Sequence, residues 1–284
     1  MAESHLRPFS TDTLPQGQRI AIRVEYDGSA YSGWQSQPHL PHVRTVQSEV
    51  ENALATIANA QIRIYCAGRT DTGVHATAQW VHFDAPCARS LKSWVFGGNA
   101  QLPATIRIAD ARAVAEDFHA RHSATARQYD YLIANAPVPS ALLANRLLWV
   151  RQPLDHRRMR RSLLPLLGEQ NFSAFRAASC QSTTPMRFME SVETYRRGDI
   201  VQIRVVANAF LHHMVRNIVG SCLQVGLGDK AEDWLGELLT LGDRTRAAAT
   251  APSHGLYLSG VRYPEDTGLS TSVELPFFPS ATQE

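Results

Sequence analysis

Lysine is almost missing from this chain. Of its 28 basic residues only Lys92 and Lys230 are lysine, and the rest are arginine. The formal net charge is only +2 over 284 residues, so charge balance alone does not mark a polyanion binder. Arginine nonetheless suits phosphate and base stacking, because its planar fork binds bidentately. A GC-rich coding bias gives the same composition, and an RNA footprint requires the arginines to gather on one face. Cysteine is scarce as well. Cys66, Cys87, Cys180 and Cys222 include no CxxC pair and join no Cys/His group at zinc-ligand spacing, which argues against a zinc site. Cys66 and Cys222 lie in apolar runs and read as packed thiols. No uninterrupted apolar run approaches the length of a transmembrane helix. The polar N-terminus has no apolar h-region, so no secretory signal is expected and the chain reads as cytoplasmic and reduced. There is no GxxxxGK[ST] loop and no GxGxxG after a strand, so no nucleotide cofactor is expected, and no metal.

What is present is enough apolar material for a sizeable core. Hydrophobic residues make up 44% and charged ones 19%. Ile20, Ile22, Val24 and Tyr26 alternate as a strand with one buried face. Thr45 can cap a helix whose stripe is Val46, Val50, Ala53, Leu54 and Ile57. Strands are expected over Ile62–Cys66, near Gln79–Phe83 and near Ile106–Ala111, with a helical stretch near Leu91–Gly97. Strand, helix, strand, strand, helix, strand is the order of a split βαβ unit.

The second half repeats this rhythm more loosely. Gln128–Ile133 alternates as a strand. Asp155 can cap a helix carrying Met159, Leu163 and Leu166, in which Pro165 is expected to kink or shorten the end. Strands are expected around the turn Gly198-Asp199, then a helix with the stripe Val215, Ile218, Val219, Cys222 and Val225. A helix over Ala231–Leu241 and a strand over Leu256–Val261 follow. The fold class expected is α/β of the α+β type, in two lobes with antiparallel sheets. The boundaries expected are a flexible tail over 1–18, a first lobe over 19–122, a second over 123–264 and a C-terminal tail over 265–284.

The most informative stretch runs from Cys66 to Trp80. A strand stops at Gly68, and the chain presents Arg69 and Asp71 in a loop bracketed by Gly68 and Gly73. Loops at strand ends carry sites on rigid scaffolds. A neighbouring guanidinium favours the ionised carboxylate, and an anionic aspartate can act as a nucleophile. On spacing alone, most such Arg/Asp neighbours are surface ion pairs.

The words Gly68-Arg69-Thr70-Asp71 and Gly73-Val74-His75-Ala76 resemble the catalytic signature of the tRNA pseudouridine synthase A family. So do Tyr26-Asp27-Gly28 with Tyr31-Ser32-Gly33-Trp34-Gln35, Asp117-Phe118-His119-Ala120-Arg121, Ser123 to Tyr131, and Asn208 to Gly220. They stand in the family's order and span about Arg19 to Tyr263. The resemblance implies two similar split-βαβ lobes whose sheets join into one central, mostly antiparallel sheet, an active cleft between them, and a homodimer. It implies isomerisation of uridine to pseudouridine at positions 38, 39 and 40 of the tRNA anticodon stem-loop, without cofactor or metal.

The same resemblance implies roles for single residues. Asp71 is the nucleophile, and attack at C6 of the base, attack at C1′ of the ribose, and a glycal route all stay open. Tyr129 is the active-site tyrosine, which offers a face to an extruded base; Tyr131 reads as core. Arg69 is linked to taking the base out of the stack. Arg216, among apolar neighbours on a helix, calls for an acid partner, for which Asp71 is the expectation. From their own spacing, His212 and His213, read as adjacent helix residues, point apart and are expected to hydrogen-bond or to meet RNA phosphate, with packing as the alternative, rather than share a metal. His75 reads as structural. Gly28, Gly33 and Trp34 shape a loop near the site, though Trp34 reads equally as core. Thr72 replaces the family's usual alanine, and His39 to His42 reads as a short insertion.

Two other readings compete. Asp71-Thr72-Gly73 and Asp266-Thr267-Gly268 are aspartic-protease triplets. Neither follows an apolar strand directly, and Arg69 would ionise an acid that a dyad needs half-protonated. A non-catalytic RNA reader can also use split βαβ lobes, but the RNP1 pattern is not in the chain.

Overall fold

A computed structural model describes residues 9–37, 39–40, 42–269 and 275. Residues 1–8 of the expected first tail, Pro41 of the expected insertion, and 270–274 and 276–284 of the expected last tail lie outside the described residues. The fold is mixed α+β with mostly antiparallel strand pairing. The chain divides into two compact units. One takes the chain up to Thr125 together with the stretch from Gly260 onward, and the other is Ala126–Ser259.

The first unit contains β1 (Thr13–Leu14), β2 (Arg19–Tyr26), α1 (Val46–Ala58), β3 (Tyr65–Cys66), β4 (His75–Asp84), β5 (Arg89–Ser90), α2 (Gly98–Gln101) and β6 (Ile106–Ala113). β2 lies antiparallel between β4 and β6, and β3 adds to β4. Ile20, Ile22 and Val24 are fully buried, as the alternation requires. Thr45 and Ser48 close a capping box on α1, whose C-terminal neighbour Asn59 turns left-handed at φ 51°, so the helix starts and stops on local chemistry. The strand expected from Ile62 is only Tyr65–Cys66, although Ile62 and Ile64 are buried. Residues 9–18 differ from the expected tail. Thr13–Leu14 pair with Arg89–Ser90, Gly17 N–H donates to Ala85 O at 2.8 Å, and the Phe9 ring meets Phe96 edge-on. The few apolar residues in that polar stretch find partners far along the chain.

His82 on β4 sits under Tyr65 and His119, with ring centroids 5.2 Å and 4.6 Å away. Its Nδ1 accepts the Ala120 N–H at 3.1 Å. Burial, aided by His119 and Arg19, lowers its pKa from 6.5 to about 4. The unfolded chain therefore binds a proton that the folded chain refuses between those values. Stability is expected to be intact at neutral pH and to fall as pH drops through 6.5 towards 4. The loss is on the order of 2 kcal/mol, below the full shift because the ring lies under exposed Tyr65. Thermal melts of wild type and His82→Asn across that range check it: the variant's curve should be the flatter.

The second unit contains β7 (Ala126–Asn135), β8 (Leu148–Val150), α3 (His156–Leu163), β9 (Gly168–Asn171), β10 (Met186–Arg197), β11 (Ile200–Ala207), α4 (Met214–Leu227) and α5 (Trp234–Leu241); β12 (Leu256–Arg262) carries the chain back to the first. The order β9-β10-β11-β7 is antiparallel throughout, and β8 lies parallel to β7. Pro165 ends α3: the α-helix stops at Leu163 and one tighter turn, Leu164–Leu166, follows. On β7, Tyr129 and Tyr131 share one face and Asp130 takes the other. Asp130 is fully buried and accepts from Gln202 Nε2 at 2.6 Å, Arg204 Nε at 2.8 Å and Ser259 Oγ at 2.5 Å. Asp130→Ala would strand a guanidinium and two polar groups and is expected to cost about 3–5 kcal/mol in urea unfolding.

Candidate active site

The loop that carries Asp71 is held at both ends and in the middle. The β3–β4 ladder ends with Ala67 N–H on Trp80 O at 2.8 Å. Beyond it, Gly68 donates its N–H to Gln79 Oε1 at 3.2 Å and accepts from Gln79 Nε2. At the middle, Thr70 Oγ1 and Tyr26 OH share a buried hydrogen bond of 2.7 Å, and Trp34 N–H donates to Thr70 O at 3.0 Å. Val74 N–H closes the loop on Asp71 O at 3.1 Å, with Gly73 at φ +76°. Asp71 is half-buried, whereas Arg69 and Thr72 are exposed. Thr72 is exposed, so its side chain meets no crowding there. Burial pushes the Cys66 thiol up to about 11, against the pull of Arg69 and Arg121, so it is no nucleophile.

A second segment, Tyr26 to Trp34, grips this loop from behind. A Cβ on Gly28 would lie 2.0 Å from Val74 O, and one on Gly33 would lie 2.8 Å from Thr70 O. Gly33 also has φ +83°, a region that side chains disfavour. Gly28 N–H donates to Nδ1 of buried His75 at 3.1 Å, which gives His75 the structural role expected. Trp34 is fully buried against Tyr26, with centroids 5.8 Å apart, and is core. Gly33 and Trp34 carbonyls accept the first N–H groups of α1, from Val46 and Gln47, at 3.2 and 3.0 Å. The helix start thus anchors the segment that anchors the loop.

Tyr129 and Arg216 belong to the second unit. Tyr129 is buried on β7 opposite Val205, and Phe210 meets its ring edge-on at 5.0 Å. Tyr131 is core: its OH donates to Pro252 O at 2.8 Å, and a Cβ on Gly255 would strike its ring at 2.7 Å. Burial raises its pKa far out of reach. Arg216, half-buried on α4, donates from Nε to Ala251 O at 2.8 Å, while Ala251 N–H returns to Arg216 O at 3.1 Å. Beside it, burial and then the Arg216 charge lower the pKa of His254.

His212 and His213 precede α4 rather than standing on it. His213 holds φ 60° at the helix start, and Ser179 Oγ lies 3.1 Å from His212 Nδ1. A non-glycine residue in that region signals a constraint. Asn217, which the sequence motif contains without a role of its own, is buried on α4. Its Nδ2 donates to Phe175 O at 2.8 Å, and its Oδ1 accepts from Thr250 and Arg244 at 2.6 and 3.1 Å. Gln79, placed by the sequence only in a strand, is a second such amide. Both were legible as amides inside otherwise apolar runs, where a buried amide needs partners. Asp266 is exposed on the turn Glu265–Thr267. Among the described residues no helix is long and apolar enough to cross a membrane.

The family described as tRNA pseudouridine synthase matches residues 22–123 and 164–264. Those stretches hold the Asp71 loop, the segment that grips it, and α4 with Arg216; Tyr129 falls between them. The chain is 50% identical over 257 residues to tRNA pseudouridine synthase A of Hydrogenovibrio crunogenus, covering 90% of this chain and 95% of the relative. It is 50% identical over 260 residues to the protein of that name in Histophilus somni, covering 92% and 96%. The match to that of Escherichia fergusonii is 47% over 270 residues, covering 95% and 99%. With the signature loop built as described and such identity along nearly its whole length, the chain belongs to the tRNA pseudouridine synthase A family.

Proposed function

We propose that the protein isomerises uridine to pseudouridine at positions 38, 39 and 40 of the tRNA anticodon stem-loop, in the cytoplasm, with Asp71 as nucleophile. The observation that supports it best is the fixation of the Asp71 loop. Three backbone anchors and one buried hydroxyl pair hold the loop that follows the short strand Tyr65–Cys66 and carries the half-buried Asp71. Preorganisation of this kind is what a covalent step requires.

The chemistry needs no outside reagent. The C1′–N1 bond breaks, the uracil turns, and a C1′–C5 bond forms. N1 gains a proton and the hydrogen on C5 leaves to solvent. Tyr129 presents a ring on which an extruded uracil can stack, and Phe210 fixes that ring's orientation. Arg69, exposed on the Asp71 loop, reaches toward RNA and supports extrusion. Arg216 is the cation assigned to the aspartate. Reaching three adjacent positions calls for recognition of RNA shape rather than base edges. The reading includes two similar lobes and a homodimer.

The test is tritium release from tRNA transcripts labelled with [5-³H]uridine, each carrying a single uridine among the three positions. Release from all three sets supports the reading. Tight tRNA binding without release, in wild type, would turn it into a non-catalytic RNA reader.

A further inference from the structure

We propose that Gln79 is a positioning residue for Asp71: its amide continues the β3–β4 ladder where the backbone can no longer do so. The ladder runs through Tyr65 with His82 and Cys66 with Val81, and ends at Ala67 with Trp80. The next residue, Gly68, must leave the sheet for the chain to form the loop. Its N–H and C=O would then lose their partners, and backbone groups at such a place need both. Gln79 supplies both from one planar amide, with Oε1 accepting from Gly68 N–H at 3.2 Å and Nε2 donating to Gly68 O.

Gln79 itself is fully buried, and its own backbone is held in β4 opposite Val24. The clamp is therefore as rigid as the sheet. It fixes the two peptide planes that flank the Gly68 Cα, and Asp71 stands only three residues farther on. The remaining anchors act after that point, at Thr70 and at Val74. Without the Gly68 clamp the loop keeps its middle and far anchors, and its near hold falls back to Ala67. The Asp71 carboxylate then samples directions that do not meet the substrate, and binding of tRNA is left as it was. This inference rests on the proposed role of Asp71.

Two variants and two readouts test it. Gln79→Leu keeps the volume and removes both hydrogen bonds. Gln79→Glu keeps the acceptor for Gly68 N–H and loses the donor, until the introduced carboxyl is protonated. Gln79→Leu is expected to lower the single-turnover rate about 30- to 100-fold, with tRNA Kd within about threefold. Gln79→Glu is expected to be slow at neutral pH and to approach wild type, as a ratio at each pH, as pH falls toward about 5, where the carboxyl regains its proton. A packing role alone would not produce that recovery.

The second readout needs no turnover. Amide hydrogen exchange across 67–74 is expected to quicken about tenfold or more in both variants at neutral pH. If Gln79→Leu does not fold, the Gln79→Glu profile and its exchange decide. Wild-type rates and unchanged exchange in the folded variants would overturn the inference and leave the proposed function standing. An inactive wild type with quickened exchange in the variants would overturn the reaction and keep the clamp.

Discussion

Asp71→Asn protein is expected to release no tritium above background, a loss of at least about 10⁴-fold in single-turnover rate. The amide matches the carboxylate in size, and the loop's anchors use backbone atoms of residues 68, 70, 71 and 74 together with the Thr70 hydroxyl. None of them uses the Asp71 side chain. The variant should therefore keep these anchors, and melting curves of the two proteins separate lost chemistry from lost structure. Its tRNA Kd should also stay close to wild type, because binding rests on the wider RNA surface. Filter binding and tritium release on the same preparation measure both. Release at more than about a hundredth of the wild-type rate would dismiss Asp71 as the nucleophile.

Gly28→Ala is expected to have the second-largest effect. The added methyl would sit 2.0 Å from Val74 O and 2.7 Å from its carbonyl carbon. Backbone cannot swing aside as a flexible side chain can, so either β2's end or the start of β4 must move. We expect a stability loss of about 2–4 kcal/mol, read as a melting temperature lower by roughly 5–15 °C. We also expect residual activity below about a tenth of wild type in the folded fraction, since Val74 N–H closes the Asp71 loop. Gly17→Ala is the control. Gly17 has φ +87° but nothing within 4 Å of a Cβ. It should show only the conformational penalty of about 1 kcal/mol and keep full activity. Equal effects at the two glycines would mean that the close approach at Gly28 is relieved at little cost.

Part of this site is written locally in the chain. A strand followed by Gly-Arg-Thr-Asp and a second glycine places an acid in a tight loop. Thr45 and Ser48 mark the start of α1, and Pro165 ends α3, because caps and breaks act within a few residues of themselves. Alternation at Ile20, Ile22 and Val24 marks a strand for the same reason: the period is visible in a short window. Length was less legible. β4 runs from His75 to Asp84 with nearly every residue buried, so its beginning carries no alternation to read.

The sequence by itself determined most of the order of its strands and helices, the loop that carries Asp71, and the family whose signature it spells. Only the tertiary structure decided how the pieces are fixed. Thr13–Leu14 became a strand because Arg89–Ser90 lay within reach. His213 left the helix and took a left-handed turn. Trp34 went to the core, and Gly28 and Gly33 proved to be points of backbone contact with the Asp71 loop some 40 residues away in sequence. Gln79 found its partner at Gly68 across the turn of the loop. Caps, breaks and periods act between neighbours in the chain and can be read from it. A close approach between distant segments is set by how two surfaces fit once folded, and no window of sequence contains both.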